Sequence, residues 1–176
     1  MKITSIKSHV LRYELEEELG YSQQYYKHRT AHLVEVQTDE GLTGWGECFG
    51  PGNIALANKF IVEKVIQPLV VGEDPINKEF IWHKVYNLLR DNGQKGMPIQ
   101  ALSGVDIALW DILGKKTNTP LYQLVGGKCN DQIPVYGYGM MLQKKTTSEL
   151  VDLFKEEAKQ IKSKNFKAMK MKVGLG

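Results

Sequence analysis

The chain has 176 residues and a formal net charge of +3, and 42% of its residues are hydrophobic and 24% charged. This composition is typical of one globular domain, or of one domain with part of a second, and excludes a low-complexity chain. The lysines and arginines are spread along the sequence, so we predict no nucleic-acid partner. We expect a cytoplasmic protein with no membrane partner, because no apolar run approaches the roughly 20 residues of a membrane span and none follows Met1 as in a signal peptide.

Alternating apolar residues predict a three-stranded antiparallel meander at the start of the chain. Its strands cover residues 2–13, 30–38 and 42–48. The sequence Asp39-Glu40-Gly41 predicts the hairpin turn between the second and third strands. Gly44 and Gly46 lie on one side of the third strand, which predicts that another element approaches it closely.

Two segments beside these strands are predicted as loops. Residues 14–27 are rich in Glu and Tyr and are predicted to form a polar, mobile loop. Its composition leaves two interpretations open, a binding loop on a rigid scaffold and a solvated connection without function. The second loop, residues 49–52, follows the third strand and is rich in Gly and Pro.

Helical periodicity predicts three helices in the middle of the chain. They run from residue 53 to near Pro68, from 77 to 89, and from 98 to about 116. The last helix is apolar except for Asp106 and Asp111. A buried carboxylate is costly unless it is paired, so we predict that Asp106 accepts hydrogen bonds or pairs with a cation rather than acting in catalysis.

His28 and His32 are four residues apart, the spacing of some helical zinc sites. They straddle the predicted junction of a loop and a strand, and no Cys, Asp or Glu follows at ligand spacing. We therefore predict that these two histidines do not bind a metal ion.

The C-terminal stretch, residues 167–174, has the pattern of a strand in which Lys170 and Lys172 share one face. Met169, Met171 and Val173 share the other. This pattern suits a barrel strand whose inward face ends in an active site. Two neighbouring ammonium groups lower each other's pKa, which would make one of them a base near neutral pH. Two lysines alone are a weak signal, and an edge strand with solvated lysines that block aggregation is the alternative.

A longer motif carries a resemblance to a known family. Residues 101–115, Ala-Leu-Ser-Gly-Val-Asp-Ile-Ala-Leu-Trp-Asp-Ile-Leu-Gly-Lys, resemble the signature of the mandelate racemase/muconate lactonizing enzyme family of the enolase superfamily, and residues 120–127 continue it. Residues 41–47 and 166–174 are also similar to the family, so the resemblance extends over essentially the whole chain. The sequence of residues 108–111 is more similar to the mandelate racemase branch, which includes many sugar-acid dehydratases.

The resemblance implies an architecture of two parts. Residues 1–130 would form the α+β capping domain, built from the three-stranded antiparallel meander and helices. Residues 131–176 would be the start of a truncated (β/α) barrel, with a strand at 133–140, a helix from Thr147 to about Ser163 and a strand at 167–173. This strand–helix–strand order is typical of a parallel barrel independently of the resemblance.

The resemblance also implies a site. Lys172 would be the general base that removes or returns the proton α to a carboxylate, and Lys170 would bind the substrate carboxylate. The enediolate must be strongly stabilised, and the superfamily uses Mg²⁺ for this. The two capping loops would select the substrate through Tyr21, Tyr25, Tyr26, His28 and Phe49.

In the family the Mg²⁺ ligands come from the third to fifth barrel strands, so the resemblance implies that roughly half of a member is present and that no metal ligand lies in this chain. We expect a small carboxylate substrate, most simply a sugar acid, and a homo-oligomer. An acid-sugar dehydratase is favoured, with a racemase, epimerase or cycloisomerase as the alternative. These 176 residues alone are not expected to be active, and a non-catalytic dimerisation or binding module remains open.

Overall fold

The computed structural model describes residues 1–174, so positions 175 and 176 of the predicted barrel segment lie outside the described residues. The elements are β1 Ile3–Tyr21, β2 Gln24–Thr38, β3 Thr43–Cys48, α1 Ile54–Phe60, a π-helical segment Ile61–Ile66, α2 Gln67–Val70, α3 Lys78–Leu88, a 3-10 turn Leu89–Asn92, α4 Met97–Thr117, α5 Leu121–Leu124, β4 Gly137–Tyr138, α6 Thr147–Ser163 and β5 Met169–Lys170. They form a three-stranded sheet of order β1–β2–β3 with its helices, and a separate pair of β4 and β5. This is the predicted capping domain and barrel start, and the described residues contain no closed barrel.

The chain forms two compact units. The sheet–helix unit comprises Met1–Arg12 and Thr30–Lys128, and the lysine-strand unit comprises Tyr13–Arg29 and the described residues from Cys129 onward. The outer ends of β1 and β2 thus group with the C-terminal segment. The expected domain boundary after residue 130 stays a prediction.

The predicted loop at residues 14–27 is wrong, because this segment is an extended β-hairpin. β1 continues to Tyr21, β2 begins at Gln24, and only Ser22 and Gln23 form the turn. Most side chains of this hairpin are exposed, so the sequence lacks the apolar alternation that marks a half-buried strand. Backbone hydrogen bonds between β1 and β2 define it instead.

The sheet–helix unit buries one face of its sheet against helices. On β2, His32, Val34, Val36 and Thr38 are buried at every second position, which is the strand period. β2 pairs antiparallel with β3, with Val34 opposite Gly46 and Val36 opposite Gly44. The helices contribute the remaining core residues, among them Val62, Ile66, Ile81, Val85, Ala101, Leu102, Val105, Ala108, Leu109 and Ile112.

Helix α4 packs directly on β3 through glycine. A β-carbon on Gly46 would collide with the carbonyl oxygen of Gly104, and one on Gly44 would collide with that of Ala108. The predicted close approach at these two glycines is therefore confirmed, and its partner is α4. The backbone amide of Trp45 also donates to Asp111 Oδ2 at 2.9 Å, which links the strand to the helix.

The three helices predicted in the middle of the chain are found, and only the C-terminal end of the first differs from the prediction. The first continues through the π-helical segment into α2 and ends at Val70, because Pro68 lies in the first turn of α2, where its missing N–H costs little. Helices α3 and α4 lie at their predicted positions. In the described part of the chain, no helix combines the length and the apolar character needed to cross a membrane.

Candidate functional site

The lysines lie at the end of a short parallel ladder in the lysine-strand unit. β4 and β5 pair in parallel, with Gly137 opposite Met169 and Tyr138 opposite Lys170. Backbone hydrogen bonds extend this pairing beyond the strands, from Gly137 N to Ala168 O at 3.0 Å and from Lys172 N to Met140 O at 3.1 Å. Lys170 is therefore the last residue of β5, and Lys172 lies just past its carboxyl end, where parallel barrels place their active sites.

Helix α6 connects the two strands and packs against β4. A β-carbon on Gly137 would collide with the side chain of Ile161, so this glycine allows the helix to approach the strand. The α6 residue Glu157 accepts a hydrogen bond from Met140 N. The helix begins after a capping box, in which Thr146 N donates to Glu149 Oε2 at 2.8 Å and Glu149 N donates to Thr146 Oγ1 at 3.4 Å.

Each of the two lysines lies near an aromatic ring. Lys170 Nζ is 5.2 Å from the ring centroid of Tyr138, and Lys172 Nζ is 5.9 Å from that of Tyr21. Both distances are within the range of a cation–π attraction, which is weak at exposed positions. Lys170 is exposed and Lys172 is half-buried. The Lys172 side chain therefore lies close to a tyrosine at the tip of the hairpin.

The hairpin tip contacts the segment that follows β4. Gly20 N donates to Leu142 O at 2.7 Å, and Leu142 N donates to Gly20 O at 3.2 Å. Two ion pairs flank this bridge, Lys144 with Glu18 at 2.5 Å and Lys145 with Glu17 at 3.4 Å. Single ion pairs of this kind contribute little to stability. We therefore expect the backbone hydrogen bonds to contribute most of the stability of this contact. It places Tyr21, the next residue, near Lys172.

The other predicted substrate residues occupy different places. Tyr25 packs against Gly20, and Tyr26 lies under the guanidinium of Arg29, with Arg29 Cζ 4.7 Å from its ring centroid. His28 is half-buried on β2. Phe49 is 70% exposed and belongs to the sheet–helix unit, after β3. The structure thus places Tyr21 beside Lys172, and the substrate roles of all five residues stay predictions.

The apolar face predicted for the last strand is not buried in this structure. Met169 is 44% exposed and Val173 is 74% exposed, although both alternate with the lysines as predicted. On the segment that leads into β4, Ile133 and Val135 are exposed as well. β5 has only β4 as a described neighbour in its sheet, so its apolar side chains have no second layer to cover them.

The contacts that the sequence predicted for Asp106 are made by Asp111 instead. Asp111 accepts hydrogen bonds from Trp45 N and, at 2.7 Å, from Lys115 Nζ. Asp106 is half-buried in a cleft that Glu79, Trp82 and His83 also line. Burial, and secondly the charge of Glu79, raise the pKa of Asp106, while Lys78 opposes the shift. It is thus Asp111 that makes the hydrogen bonds and the cation pair.

The chain does not provide a magnesium site in its described part. Among residues 1–174, no three His, Cys, Asp or Glu side chains come together in a way that could hold a metal ion. His28 lies in the lysine-strand unit and His32 in the sheet–helix unit. The described residues therefore do not fit a bound Mg²⁺.

Comparisons with known proteins identify the type of protein. Residues 19–126 match the model of the mandelate racemase/muconate lactonizing enzyme N-terminal domain. D-galactarolactone cycloisomerase of Agrobacterium fabrum is 36% identical over all of this chain and 45% of its own length. Arabinonate dehydratase of Saccharolobus solfataricus is 37% identical over 80% of this chain and 36% of its own length. A racemase from Streptomyces coelicolor, solved with bound magnesium, superposes with a TM-score of 0.87 at 30% identity, over 98% of this chain and 47% of its own.

The fold and the matched residues define a capping domain followed by the first strands of a barrel. The chain belongs to the mandelate racemase/muconate lactonizing enzyme family of the enolase superfamily, as its motif predicts. It spans about half the length, or less, of the curated relatives that it matches. Those relatives include dehydratases, a cycloisomerase and a racemase.

The sequence missed the features that join the hairpin to the barrel start. The bridge between Gly20 and Leu142 links residues 122 positions apart, and no local pattern marks it. One signal was present, since Glu17 and Glu18 are matched in charge by Lys144 and Lys145. These two pairs form in the structure.

Proposed function

We propose that this chain supplies the capping domain and the lysine-bearing barrel start of an enzyme that removes the proton α to the carboxylate of a sugar acid. The observation that carries the proposal is the position of Lys170 and Lys172 at the carboxyl end of β5, in one unit with the tip of the hairpin. In a parallel barrel this end carries the catalytic groups, so two adjacent cations there suit an anionic substrate.

The two lysines have different roles in this proposal. Lys172 is the general base, and Lys170 donates to the substrate carboxylate in a charge-assisted hydrogen bond. The C–H group α to a carboxylate is a very weak acid. The negative charge that develops on the carboxylate oxygens must therefore be stabilised as the proton leaves. The ammonium of Lys170 would contribute to this stabilisation.

The hairpin tip supplies the proposed substrate selection. Tyr21, Tyr25, Tyr26 and His28 are polar groups on rigid aromatic frames that can donate hydrogen bonds to a polyhydroxy acid. The backbone bridge of Gly20 to Leu142 keeps Tyr21 close to Lys172. Phe49 belongs to the sheet–helix unit, and its substrate role stays a prediction.

Two outcomes of the same proton transfer have support among the relatives. In a dehydratase the enediolate expels the hydroxyl group of the adjacent carbon, which takes up a proton and leaves as water. The similarity to arabinonate dehydratase supports this choice, which we favour. A cycloisomerase is the second candidate, because the relative with that activity aligns with the whole chain. The predicted homo-oligomer and the non-catalytic module stay predictions.

The test uses the natural gene product that contains this chain, with magnesium and a panel of sugar acids and their lactones. A dehydratase releases a product lighter by one water, whereas a cycloisomerase or racemase product keeps the substrate mass. Lys172→Ala is expected to lower kcat by about a thousandfold, since general-base catalysis contributes on the order of 10²- to 10⁴-fold.

Lys167→Ala is the matched control, because Lys167 is exposed and precedes β5. It is expected to leave kcat unchanged. Equal activities of the Lys172 and Lys167 variants would contradict the proposed base.

A further inference from the structure

Three buried polar side chains of the sheet–helix unit form what we call the buried polar cluster. It consists of Ser8 on β1, His32 on β2 and Asn58 on α1. His32 and Asn58 are 0% exposed and Ser8 is 6% exposed. His32 occupies the core face of β2, next to Val34, in a position where an apolar side chain would fit the pattern.

The polar atoms of this cluster lack partners. In the part of the chain that the structure describes, neither ring nitrogen of His32 has a hydrogen-bond partner, and the same holds for Ser8 Oγ and Asn58 Oδ1. Asn58 Nδ2 donates to Phe49 O at 2.7 Å and to Gln100 Oε1 at 3.1 Å, which fixes the orientation of the amide. Buried polar groups are paired in the great majority of cases, so these four unpaired atoms require an explanation.

The charged groups around the cluster join β1 to the helix. Lys59 Nζ donates to Ser8 O at 3.3 Å, and Ser8 N donates to Glu63 Oε1 at 3.1 Å. Lys59 and Glu63 also form an ion pair at 3.7 Å. Glu63, which lies on the π-helical segment, is thus already engaged with a cation and an amide.

Burial and the nearest cation both disfavour a protonated His32 ring. Burial, and secondly the charge of Lys59, lower the pKa of His32, whereas Glu63 opposes the shift. On β3, Cys48 is the register partner of His32, and burial raises its pKa to about 12, so that its thiol is neutral. The α4 residue that reaches the cluster is the neutral amide Gln100.

We propose that His32 is an acid-sensitive switch of the capping domain: its neutral ring is enclosed in the core of the sheet–helix unit in the folded state, and protonation of the ring loosens this packing. The inference is independent of the catalytic proposal. It rests on full burial of the ring, on two ring nitrogens without partners among the described residues, and on the nearby charge of Lys59.

The direction of the effect follows from linkage. The folded state holds the His32 proton less tightly than the unfolded chain, whose ordinary pKa is 6.5. The stabilisation is therefore fully present above pH 6.5 and is lost as the pH falls below that value toward the pKa of the folded state. One proton of this kind lowers the ratio of folded to unfolded chain by at most about tenfold per pH unit.

The test is urea unfolding of the chain between about pH 8 and pH 5, followed by tryptophan fluorescence. All three tryptophans, Trp45, Trp82 and Trp110, belong to the sheet–helix unit, so the signal reports on that unit. His32→Gln removes the titrating ring, and His83→Gln is the matched control, because His83 is exposed on α3. The wild type and His83→Gln should lose stability together below pH 6.5, while His32→Gln should lose clearly less.

Parallel pH curves for all three proteins would overturn the switch. If His32→Gln does not fold, nuclear magnetic resonance of the wild-type histidine rings decides instead. A His32 ring that stays neutral in the folded protein below pH 6.5 is the expected result. A ring that becomes protonated near pH 6.5 while the sheet–helix unit stays folded would contradict the inference.

Discussion

The two units of this chain differ in how completely they bury their apolar residues. The sheet–helix unit has a continuous core in which Val34, Ile81 and Ile112 are fully buried. In the lysine-strand unit, β4 and β5 are only two residues long, and Met169 and Val173 remain exposed. The sheet–helix unit is thus stabilised mainly by burial of apolar side chains. The β4–β5 ladder that carries the lysines is stabilised mainly by backbone hydrogen bonds and by packing against α6.

The two cysteines offer the largest contrast between the units. Cys48 is buried in the sheet–helix core and Cys129 is exposed at the start of the C-terminal segment. In the folded chain we expect a thiol reagent such as DTNB to label Cys129 at least about a thousandfold faster, because a core group becomes accessible only at nearly the cost of global unfolding.

Single-cysteine variants, Cys48→Ala and Cys129→Ser, assign the two labelling phases. Urea should remove the difference between them. Rapid labelling of Cys48 without denaturant would show that the sheet–helix core opens readily.

Truncating one apolar side chain in each unit compares how much burial contributes to stability. Ile112→Ala should lower the free energy of unfolding by about 3 kcal/mol, because it leaves a cavity between α4 and the sheet. Met169→Ala removes an exposed side chain and should change it by no more than about 0.5 kcal/mol. Urea unfolding measures both, and similar losses for the two variants would mean that Met169 is covered in solution.

Adding one methyl group at Gly46 tests the contact between β3 and α4. A β-carbon at this position meets the carbonyl oxygen of Gly104, which belongs to the backbone and cannot easily move aside. Gly46→Ala is therefore expected to cost about 2 kcal/mol. Glu47→Ala, at the exposed neighbouring position, is the control and should be nearly neutral. A neutral Gly46→Ala would mean that α4 lies further from β3 than the structure has it.

Where side chains face a core, the sequence predicted the structure. The apolar residues of α4 and the paired glycines of β3 mark burial directly, and both elements lie where they were expected. The prediction failed at residues 14–27, because most of the hairpin side chains face solvent and its order comes from pairing of backbone groups.

The candidate site was predictable only in part. Strand alternation and the family resemblance predicted Lys170 and Lys172 as site residues. The position of Tyr21 near Lys172 depends on a bridge between Gly20 and Leu142, and no local sequence pattern marks that bridge. The cluster around His32 was equally hidden, because a histidine in an alternating strand does not reveal whether its ring has partners.

The central claim is that Lys172 removes the proton α to a carboxylate. The most direct measurement is deuterium exchange at that carbon, followed by nuclear magnetic resonance, when the gene product containing this chain is incubated with a sugar-acid substrate and magnesium in D₂O. The wild type and Lys167→Ala should incorporate deuterium at the α-carbon where the proton is returned there, or, in a dehydration product, at the adjacent carbon, because the α-carbon has become a carbonyl. Lys172→Ala should incorporate deuterium at neither position. Exchange by Lys172→Ala at the wild-type rate would show that another group is the base.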